Sequence, residues 1–176
     1  MSMLIRHLLS IVALPFAVAV VVPTWLVRRN GTSLTVGPDA AHLLSQFAGL
    51  SLVVIGLVLF VTSLRRFAVD GRGTLAPWDP PRYLVLRGPY RYVRNPMISG
   101  VVFVLVGEAL LVGSRPQMLW ALLFLAVNLI YIPLLEERLL TQRFGAAYQE
   151  YCRHVPRVMP RLRPWRPDAP APDRAA

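Results

Sequence analysis

The chain has 176 residues, of which 55% are hydrophobic, and a net charge of +10. The length fits one domain, and the hydrophobic content is high for a soluble one. All 19 basic residues are arginine and lie mostly between or after apolar runs, a distribution that favours anionic lipid headgroups over nucleic acid as the partner. With one cysteine, Cys152, and three scattered histidines, we expect no internal disulfide and no metal site.

Four apolar runs approach the length of about 20 residues that a helix needs to cross a bilayer core. They cover residues 8–27, 43–64, 97–114 and 117–135. The first imitates a signal peptide but stays apolar through Val27, so we expect a membrane anchor, with a cleaved signal peptide as the alternative. Its prolines, Pro15 and Pro23, require donors from neighbouring helices. The sequence predicts an all-α integral membrane bundle of four transmembrane helices, followed by a C-terminal amphipathic helix.

The arginines also predict the orientation of these spans. Seven lie in residues 65–94 and eight in residues 138–174, and Arg6 falls on the same side of an even-numbered bundle. The other side carries only Arg28, Arg29 and Arg115. Because cytoplasmic loops carry the excess of arginine, we expect both termini in the cytoplasm, and the inner membrane if the protein is bacterial.

Glycines repeat at intervals of seven in two of the spans. The second span contains Gly49 and Gly56, and the third contains Gly100 and Gly107. Small residues on one helix face let two membrane helices approach closely, so we expect these glycines to form packing seams.

The third span also contains a carboxyl group, Glu108, about 16 Å along the helix from its start. An ionised carboxylate at that depth is costly, so Glu108 must be protonated, paired or exposed to a cavity. Either a functional role or a neutral, hydrogen-bonded structural role fits this position.

Residues 65–96 connect the second and third spans. Their first part, Gly71 to Pro81, is rich in glycine and proline and predicts a stiff, extended loop with Trp78 at the headgroup layer. The last part is the sequence RGPYRYVRNPM, Arg87 to Met97. Gly88 and Pro89 predict the start of a short helical turn.

Arg87, Arg91 and Arg94 follow the spacing of one helical face, so we expect their guanidinium groups to lie together. Asn95 and Pro96 predict the N-cap and first residue of the next helix, with the Asn95 amide accepting from free N–H groups. Arginines and a helix N-terminus together would bind an anion. The alternative is a membrane-flanking loop whose arginines only set the topology.

Two adjacent carboxylates, Glu136 and Glu137, follow the fourth span. They lie about 100° apart around a helix, so at most one faces the bundle. A cation is expected nearby: Arg138, the arginines of the RGPYRYVRNPM motif, or a cationic ligand. Apolar residues at spacings of three and four predict an amphipathic helix over 136–155, ended by Pro156. We expect the domain to cover residues 1–163 and residues 164–176 to be a disordered tail.

In this topology the motif at Asn95 and the acidic pair lie at the cytoplasmic ends of one helical hairpin. Together they suit a small ligand that carries both charges. The motif with Gly100, followed after the hairpin by EERLLTQRFGAAYQEYCRHVPR, resembles the isoprenylcysteine carboxyl methyltransferase and phospholipid N-methyltransferase superfamily. The resemblance covers roughly Gly73 to Pro160.

This resemblance implies a methyltransferase that binds S-adenosylmethionine on the cytoplasmic side and takes a lipophilic acceptor from the bilayer. The candidate catalytic residues are Glu136, Arg94 and Glu108. The implied cofactor-binding positions are Arg82, Tyr83, Leu84, Val85, Gly88, Tyr90, Asn95, Pro96, Met97, Ile98, Glu136 and Glu137. Such an enzyme mainly aligns the nucleophile with the methyl group and excludes water.

Three positions depart from the superfamily pattern. Members often have histidine and tyrosine where this chain has Asn95 and Ile98, so a role for an imidazole or phenol there is absent. Ile132 stands where the prenylcysteine enzymes have a substrate-contacting arginine. We therefore expect an acceptor other than prenylcysteine, such as a lipid amine, a thiol or another carboxylate.

Two other functions remain open from the sequence. Some sterol reductases resemble this superfamily and bind a nicotinamide nucleotide in a similar place, although four spans are few for them. A non-catalytic scaffold or binding protein of the same fold is the other.

Overall fold

The computed structural model describes residues 12–31, 39–71 and 82–166. This part of the chain is helical, without β-strands, which confirms the all-α class. A π-helix (Val12–Val21) leads into α1 (Val22–Asn30), and α2 is Ala40–Gly71. A 3₁₀ turn (Gly88–Arg91) precedes α3 (Pro96–Val112). Helix α4 (Arg115–Tyr131) continues through a π-turn (Ile132–Glu136) into α5 (Glu137–His154).

Two helical stretches in the described residues are long and apolar enough to cross a membrane, Ala40–Gly71 and Arg115–His154. The second contains 40 residues, twice what one crossing needs, because it joins α4, the π-turn and α5. Helix α3 is apolar but has 17 residues, about 25 Å. The predicted first span is described from Val12 onward and is divided between the π-helix and α1. Four spans therefore stay a prediction.

Helices α2 and α3 run antiparallel along a seam of glycines. A Cβ atom added at Gly56 would lie 2.6 Å from the carbonyl oxygen of Gly100. One added at Gly107 would lie 2.6 Å from the carbonyl oxygen of Gly49. No side chain fits at such distances, so the two backbones are in direct contact at both levels. The predicted packing seams are confirmed, and the two pairs belong to one interface.

We expect Gly56→Ala to destabilise the protein by about 1–3 kcal/mol, as overpacking usually does. The new methyl group would meet backbone atoms of α3, which cannot rotate away. Val58→Ala, on the exposed side of α2, is the matched control. Thermal unfolding in detergent compares the two, and an unchanged midpoint for Gly56→Ala would contradict this interface.

Side chains of α4 supply donors to the proline-containing first helix, as its sequence requires. Pro23 lacks the N–H that a π-helical register would pair with the carbonyl five residues earlier, at Val18. Trp120 Nε1 donates to the Val18 carbonyl at 3.1 Å. Gln117 Nε2 donates to the Pro23 carbonyl at 3.4 Å. The first helix is thereby attached to the α3–α4 hairpin.

The helix predicted over 136–155 is present but is not regular. A π-turn precedes it, and Gly145 interrupts it with φ 55° and ψ −129°. Its residues Tyr148, Tyr151 and Val155 are buried together and pack against Leu84 and Leu86. Helix α5 therefore crosses the segment that leads into the 3₁₀ turn.

Two predicted segments lie partly or wholly outside the described residues. The extended loop is described only at Gly71, and Trp78 is not described. The predicted tail, 164–176, is described as far as Arg166. Within it, the Trp165 ring stacks on His154 with ring centroids 5.2 Å apart, and the backbone N–H of Trp165 donates to the Arg91 carbonyl at 3.0 Å. Packed structure thus continues beyond the predicted boundary at residue 163.

Candidate active site

The helical turn predicted after Gly88 and Pro89 is present as the 3₁₀ turn. Gly88 has a left-handed backbone with φ +60°, and a Cβ atom there would lie 3.3 Å from Arg66 Cγ. The left-handed backbone favours glycine at this position, and the Arg66 side chain packs closely against it. The turn is thereby fixed against the end of α2.

The predicted face of three arginines is wrong. The turn ends at Arg91, so the spacing of a longer helix does not apply. Arg91 Nε donates to the Trp165 carbonyl at 2.7 Å, whereas Arg94 contacts α5, and Arg87 is exposed. The three guanidinium groups therefore have separate environments, and only Arg94 joins the acidic pair.

Asn95 and Pro96 occupy the predicted positions before and at the start of α3, but the predicted capping bond is absent. Asn95 has φ −120° and ψ 62°, outside the β region from which a side chain normally caps. Its carbonyl instead accepts from Ser99 N and Ser99 Oγ, both at 3.1 Å. The partly buried Asn95 amide makes no hydrogen bond to any described residue.

Because no capping bond would be lost, Asn95→Ala should change the free energy of unfolding by no more than about 0.5 kcal/mol. Its effect should appear in ligand binding, for which the amide is available. Thermal unfolding and cofactor titration of the same preparation measure the two. A loss of about 1 kcal/mol in stability would instead indicate that the amide caps α3 in solution.

Glu137 is the centre of a partly buried ionic cluster, defined as Arg94, Glu137 and Arg157. Arg94 Nη1 lies 2.9 Å from Glu137 Oε1. Arg157 Nε donates to Oε1 at 2.8 Å, and Arg157 Nη2 to Oε2 at 2.7 Å. The side chains of Arg94 and Glu137 are only 12% and 14% exposed. Both oxygens of Glu137 are thus occupied by guanidinium groups.

Of the cations expected near the acidic pair, Arg94 belongs to the RGPYRYVRNPM motif and its contact confirms that expectation. Arg138 is exposed and lies outside the cluster. Arg157 was not predicted. One indication of a further cation was present in the sequence: two adjacent carboxylates need more positive charge than a single arginine supplies.

Glu136 differs from its neighbour because its carboxylate is uncommitted. It makes no hydrogen bond or ion pair with any residue in the described ranges. Burial, and then the charge of Glu137, raise the pKa of Glu136. The two carboxylates therefore differ in their surroundings: Glu137 is held by two arginines, whereas Glu136 has no partner in the described part of the chain.

The Tyr90 hydroxyl lies close enough to Glu136 to sense its charge. Burial raises the pKa of Tyr90 first, with contributions from Tyr151 and Glu136. Its oxygen is buried without a hydrogen-bond partner among the described residues, as is Arg94 Nε. Buried polar atoms are nearly always paired, so Tyr90 Oη and Arg94 Nε are exceptions in the described part of the chain.

The segment 155–166 closes over the 3₁₀ turn, and we call it the strap. Arg94 N donates to the Pro156 carbonyl at 3.0 Å, and Arg161 N to the Tyr92 carbonyl at 2.9 Å. At its base, Tyr151 Oη donates to the Tyr90 carbonyl at 2.8 Å. The strap and the motif thus form one unit, which the irregular, proline-rich sequence of the strap did not indicate.

The other candidate residues are divided between this unit and its surroundings. The N–H groups of Arg82 and Tyr83 donate to the Gly71 carbonyl and close the connection to α2. Leu84 packs against the buried tyrosines of α5, and Val85 is buried. Pro96 is fully buried, while Met97 and Ile98 are partly exposed.

Glu108 lies apart from the ionic cluster. It follows Pro96 by twelve residues in α3, about 18 Å along the helix. Its Oε2 is buried without a partner in the described part of the chain. The structure therefore does not bring Glu108 together with Glu136 and Arg94.

An open groove of about 430 Å³ runs beside the ionic cluster. It is lined by Pro133, Glu137, Arg138, Thr141 and Gln142. Glu136 and Tyr90 do not line it, so the groove gives access to the Glu137 side of the pair.

Two helical stretches long and apolar enough to cross a bilayer, in the described part of the chain, indicate a helical membrane protein. The chain belongs to the phospholipid methyltransferase family, whose sequence pattern matches residues 44–147. It is similar to methanethiol S-methyltransferase 2 of Bradyrhizobium diazoefficiens, with 40% identity over 99 residues. That match covers 56% of this chain and 36% of the relative, so the chain spans about a third of the relative's length. No solved structure matches the chain.

Proposed function

We propose that the protein is a methyltransferase that uses S-adenosylmethionine and acts on a lipophilic or membrane-embedded acceptor. The observation that carries the proposal is a carboxylate, Glu136, without a partner among the described residues and near enough to the unpartnered Tyr90 hydroxyl to contribute to the raised pKa of Tyr90, in a chain of the phospholipid methyltransferase family. The RGPYRYVRNPM motif, which contains Tyr90, has further donors without a described partner, Arg94 Nε and the Asn95 amide. The site therefore offers both signs of charge within one small region.

S-adenosylmethionine fits this donor set. The cofactor carries an ammonium and a sulfonium, which a carboxylate binds, and a carboxylate, which N–H donors bind. Glu136 would hold the positive groups. Arg94 Nε and the Asn95 amide supply unused donors for the carboxylate, and Tyr90 Oη can donate or accept.

The cofactor supplies the methyl group, and the protein binds, aligns and excludes water. Glu137 and its two arginines hold the start of α5 against the motif. The buried residues Tyr148, Tyr151 and Val155 close the site on the strap side. Leu134, Leu135 and Leu139 are exposed beside the acidic pair, where an acceptor within the bilayer would approach.

We further propose the topology predicted by the arginines: four spans, both termini cytoplasmic, and the site at the inner leaflet. In this arrangement α4 crosses the membrane, and the π-turn and α5 lie beyond its cytoplasmic end, with α5 as the amphipathic helix. The domain then extends to Arg166, since Trp165 packs on it.

For the acceptor, the relative's name points to a small thiol, and the family's name to a phospholipid. Ile132, which replaces the arginine of the prenylcysteine enzymes, is 4% exposed and supplies no charge. We therefore expect methyl transfer to a thiol or a lipid amine and not to prenylcysteine.

The test uses purified full-length protein in lipid nanodiscs with methyl-labelled S-adenosylmethionine. Offered acceptors are a short alkyl thiol, phosphatidylethanolamine and a prenylcysteine analogue, and NADPH binding is titrated in parallel. We expect label transfer to a thiol or lipid amine and saturable cofactor binding. Binding of NADPH alone would replace the proposal with a reductase, and binding of neither nucleotide would leave a scaffold.

A further inference from the structure

Arg157 forms an ion pair in which one guanidinium group contacts both oxygens of a carboxylate. It lies in the strap, after α5 has ended, and its guanidinium forms a two-pronged contact with Glu137 at 2.8 and 2.7 Å. The family pattern ends at residue 147, ten residues before Arg157. This contact is thus made from outside the region that the family match covers.

The two arginines of the ionic cluster are not equivalent. Arg94 reaches only Oε1 of Glu137, whereas Arg157 reaches both oxygens. Oε2 therefore depends on Arg157 alone. A planar guanidinium that binds both oxygens also fixes the orientation of the carboxylate, which a single contact does not.

The strap backbone fixes the position of Arg157. Its neighbour Val155 is fully buried, and the Pro156 carbonyl accepts from Arg94 N at 3.0 Å. The guanidinium consequently approaches Glu137 from an anchored main chain. A long side chain held in this way loses less freedom on pairing than one on a free surface loop.

The charge balance around Glu136 makes this contact matter for ligand binding. Glu136 is faced by Glu137 from its own segment and by Tyr90 from the 3₁₀ turn. Arg94 and Arg157 act on it through Glu137. The two arginines offset part of the charge of Glu137, so it raises the pKa of Glu136 less than an unpaired carboxylate would, and Glu136 ionises more readily beside it. A protonated Glu136 would no longer attract an ammonium or a sulfonium.

We propose that Arg157 is a positioning residue of the cofactor site, which holds and neutralises Glu137 so that Glu136 is free to bind the cationic end of the cofactor. The inference rests on the proposed function. Arg157 itself touches Glu137 and not the ligand.

The test compares Arg157→Gln with Arg161→Gln, the matched control. Arg161 lies in the same strap and its Nη1 donates to the exposed His154 carbonyl at 2.6 Å, away from Glu137. S-adenosylmethionine binding is measured by calorimetry over a series of pH values that starts near the ordinary carboxyl pKa and extends upward, the direction in which the pKa of Glu136 is raised. Thermal unfolding is measured on the same samples.

At neutral pH, Arg157→Gln should bind the cofactor about tenfold more weakly, with the loss of binding at acidic pH shifted to higher pH. Arg161→Gln should match the wild type. Arg157→Lys keeps the charge but not the fork, so it should retain most of the wild-type pH profile. The double variant Glu137→Gln/Arg157→Gln also removes the carboxylate that repels Glu136. Its loss of cofactor binding at acidic pH should therefore occur at a lower pH than in Arg157→Gln.

A lowered unfolding midpoint in Arg157→Gln with an unchanged dissociation constant and pH profile would overturn the inference in favour of a structural ion pair. If Arg157→Gln does not fold, the double variant Glu137→Gln/Arg157→Gln decides: its loss of binding at acidic pH should occur at lower pH than in the wild type, and an unchanged pH profile would overturn the inference. Failure of the wild type to bind S-adenosylmethionine would instead contradict the proposed function, so the two failures are distinct.

Discussion

Glu137→Gln should destabilise the protein by about 3 kcal/mol, the loss typical of breaking a buried ion pair by removing one partner. The amide has nearly the same shape, but it is neutral and one of its two acceptors becomes a donor. Arg94, 12% exposed, would then remain as a poorly compensated buried charge. Arg157 would lose its two-pronged contact with the carboxylate, and the strap would lose its ionic contact with α5.

Glu150→Gln is the matched control for this experiment. Glu150 lies on the same helix, is 51% exposed, and pairs with Arg153 at 3.6 Å and His154 at 3.2 Å. Exposed pairs contribute about 0–1 kcal/mol, so its unfolding midpoint should hardly change. Equal midpoints for the two variants, measured by thermal unfolding in the same detergent, would show that the ionic cluster does not stabilise the protein.

Glu136→Gln should weaken S-adenosylmethionine binding about tenfold to a hundredfold, the equivalent of one charge-assisted hydrogen bond. No contact in the described structure is lost, so the protein should remain folded. The two neighbouring substitutions should therefore have different effects: Glu137→Gln mainly lowers stability, and Glu136→Gln mainly lowers affinity for the cofactor. Calorimetric titration measures the affinity, and an unchanged dissociation constant would remove Glu136 from the site.

The pH dependence of stability provides an independent check on Glu136. Burial and Glu137 raise its pKa, so the folded protein holds this proton more tightly than the unfolded chain does. The resulting stabilisation is complete below the ordinary carboxyl pKa and is lost as the pH rises through the raised pKa. Glu136→Gln lacks this decline, so near neutral pH it should melt at the wild-type temperature or slightly above. A midpoint below the wild type at all pH values would mean that Glu136 has a stabilising partner.

The parts of the fold that follow from local pattern could be predicted from the sequence. Apolar runs marked the helices, and glycines at intervals of seven marked the contact of α2 with α3, because small residues are what two touching backbones require. Pro96 marked the start of α3 for an equally local reason. The nearness of the motif to the acidic pair followed from the hairpin and is confirmed by the 2.9 Å contact of Arg94 with Glu137.

What could not be predicted depends on contacts between distant parts of the chain. Arg91 and Arg94 belong to the same motif, yet Arg91 donates to the Trp165 carbonyl whereas Arg94 pairs with Glu137, because the 3₁₀ turn ends between them. The partner of Glu137 that binds both its oxygens lies twenty residues later in an irregular segment. Nothing in the spacing of the strap indicated where its backbone would be anchored.

The π-turn between α4 and α5 has a consequence for insertions and deletions. A π-bulge places one extra residue in a helix, and one residue corresponds to a rotation of about 100° around the axis. The wide turn absorbs this residue, so the helices on its two sides keep nearly the phase of an uninterrupted helix. Deletion of Leu135 should therefore convert the π-turn into an ordinary turn with little rotation of the residues after it. The same deletion inside α4 would rotate them by about 100°. The join between the apolar helix and the polar one is thus the point at which the chain best tolerates a change in length.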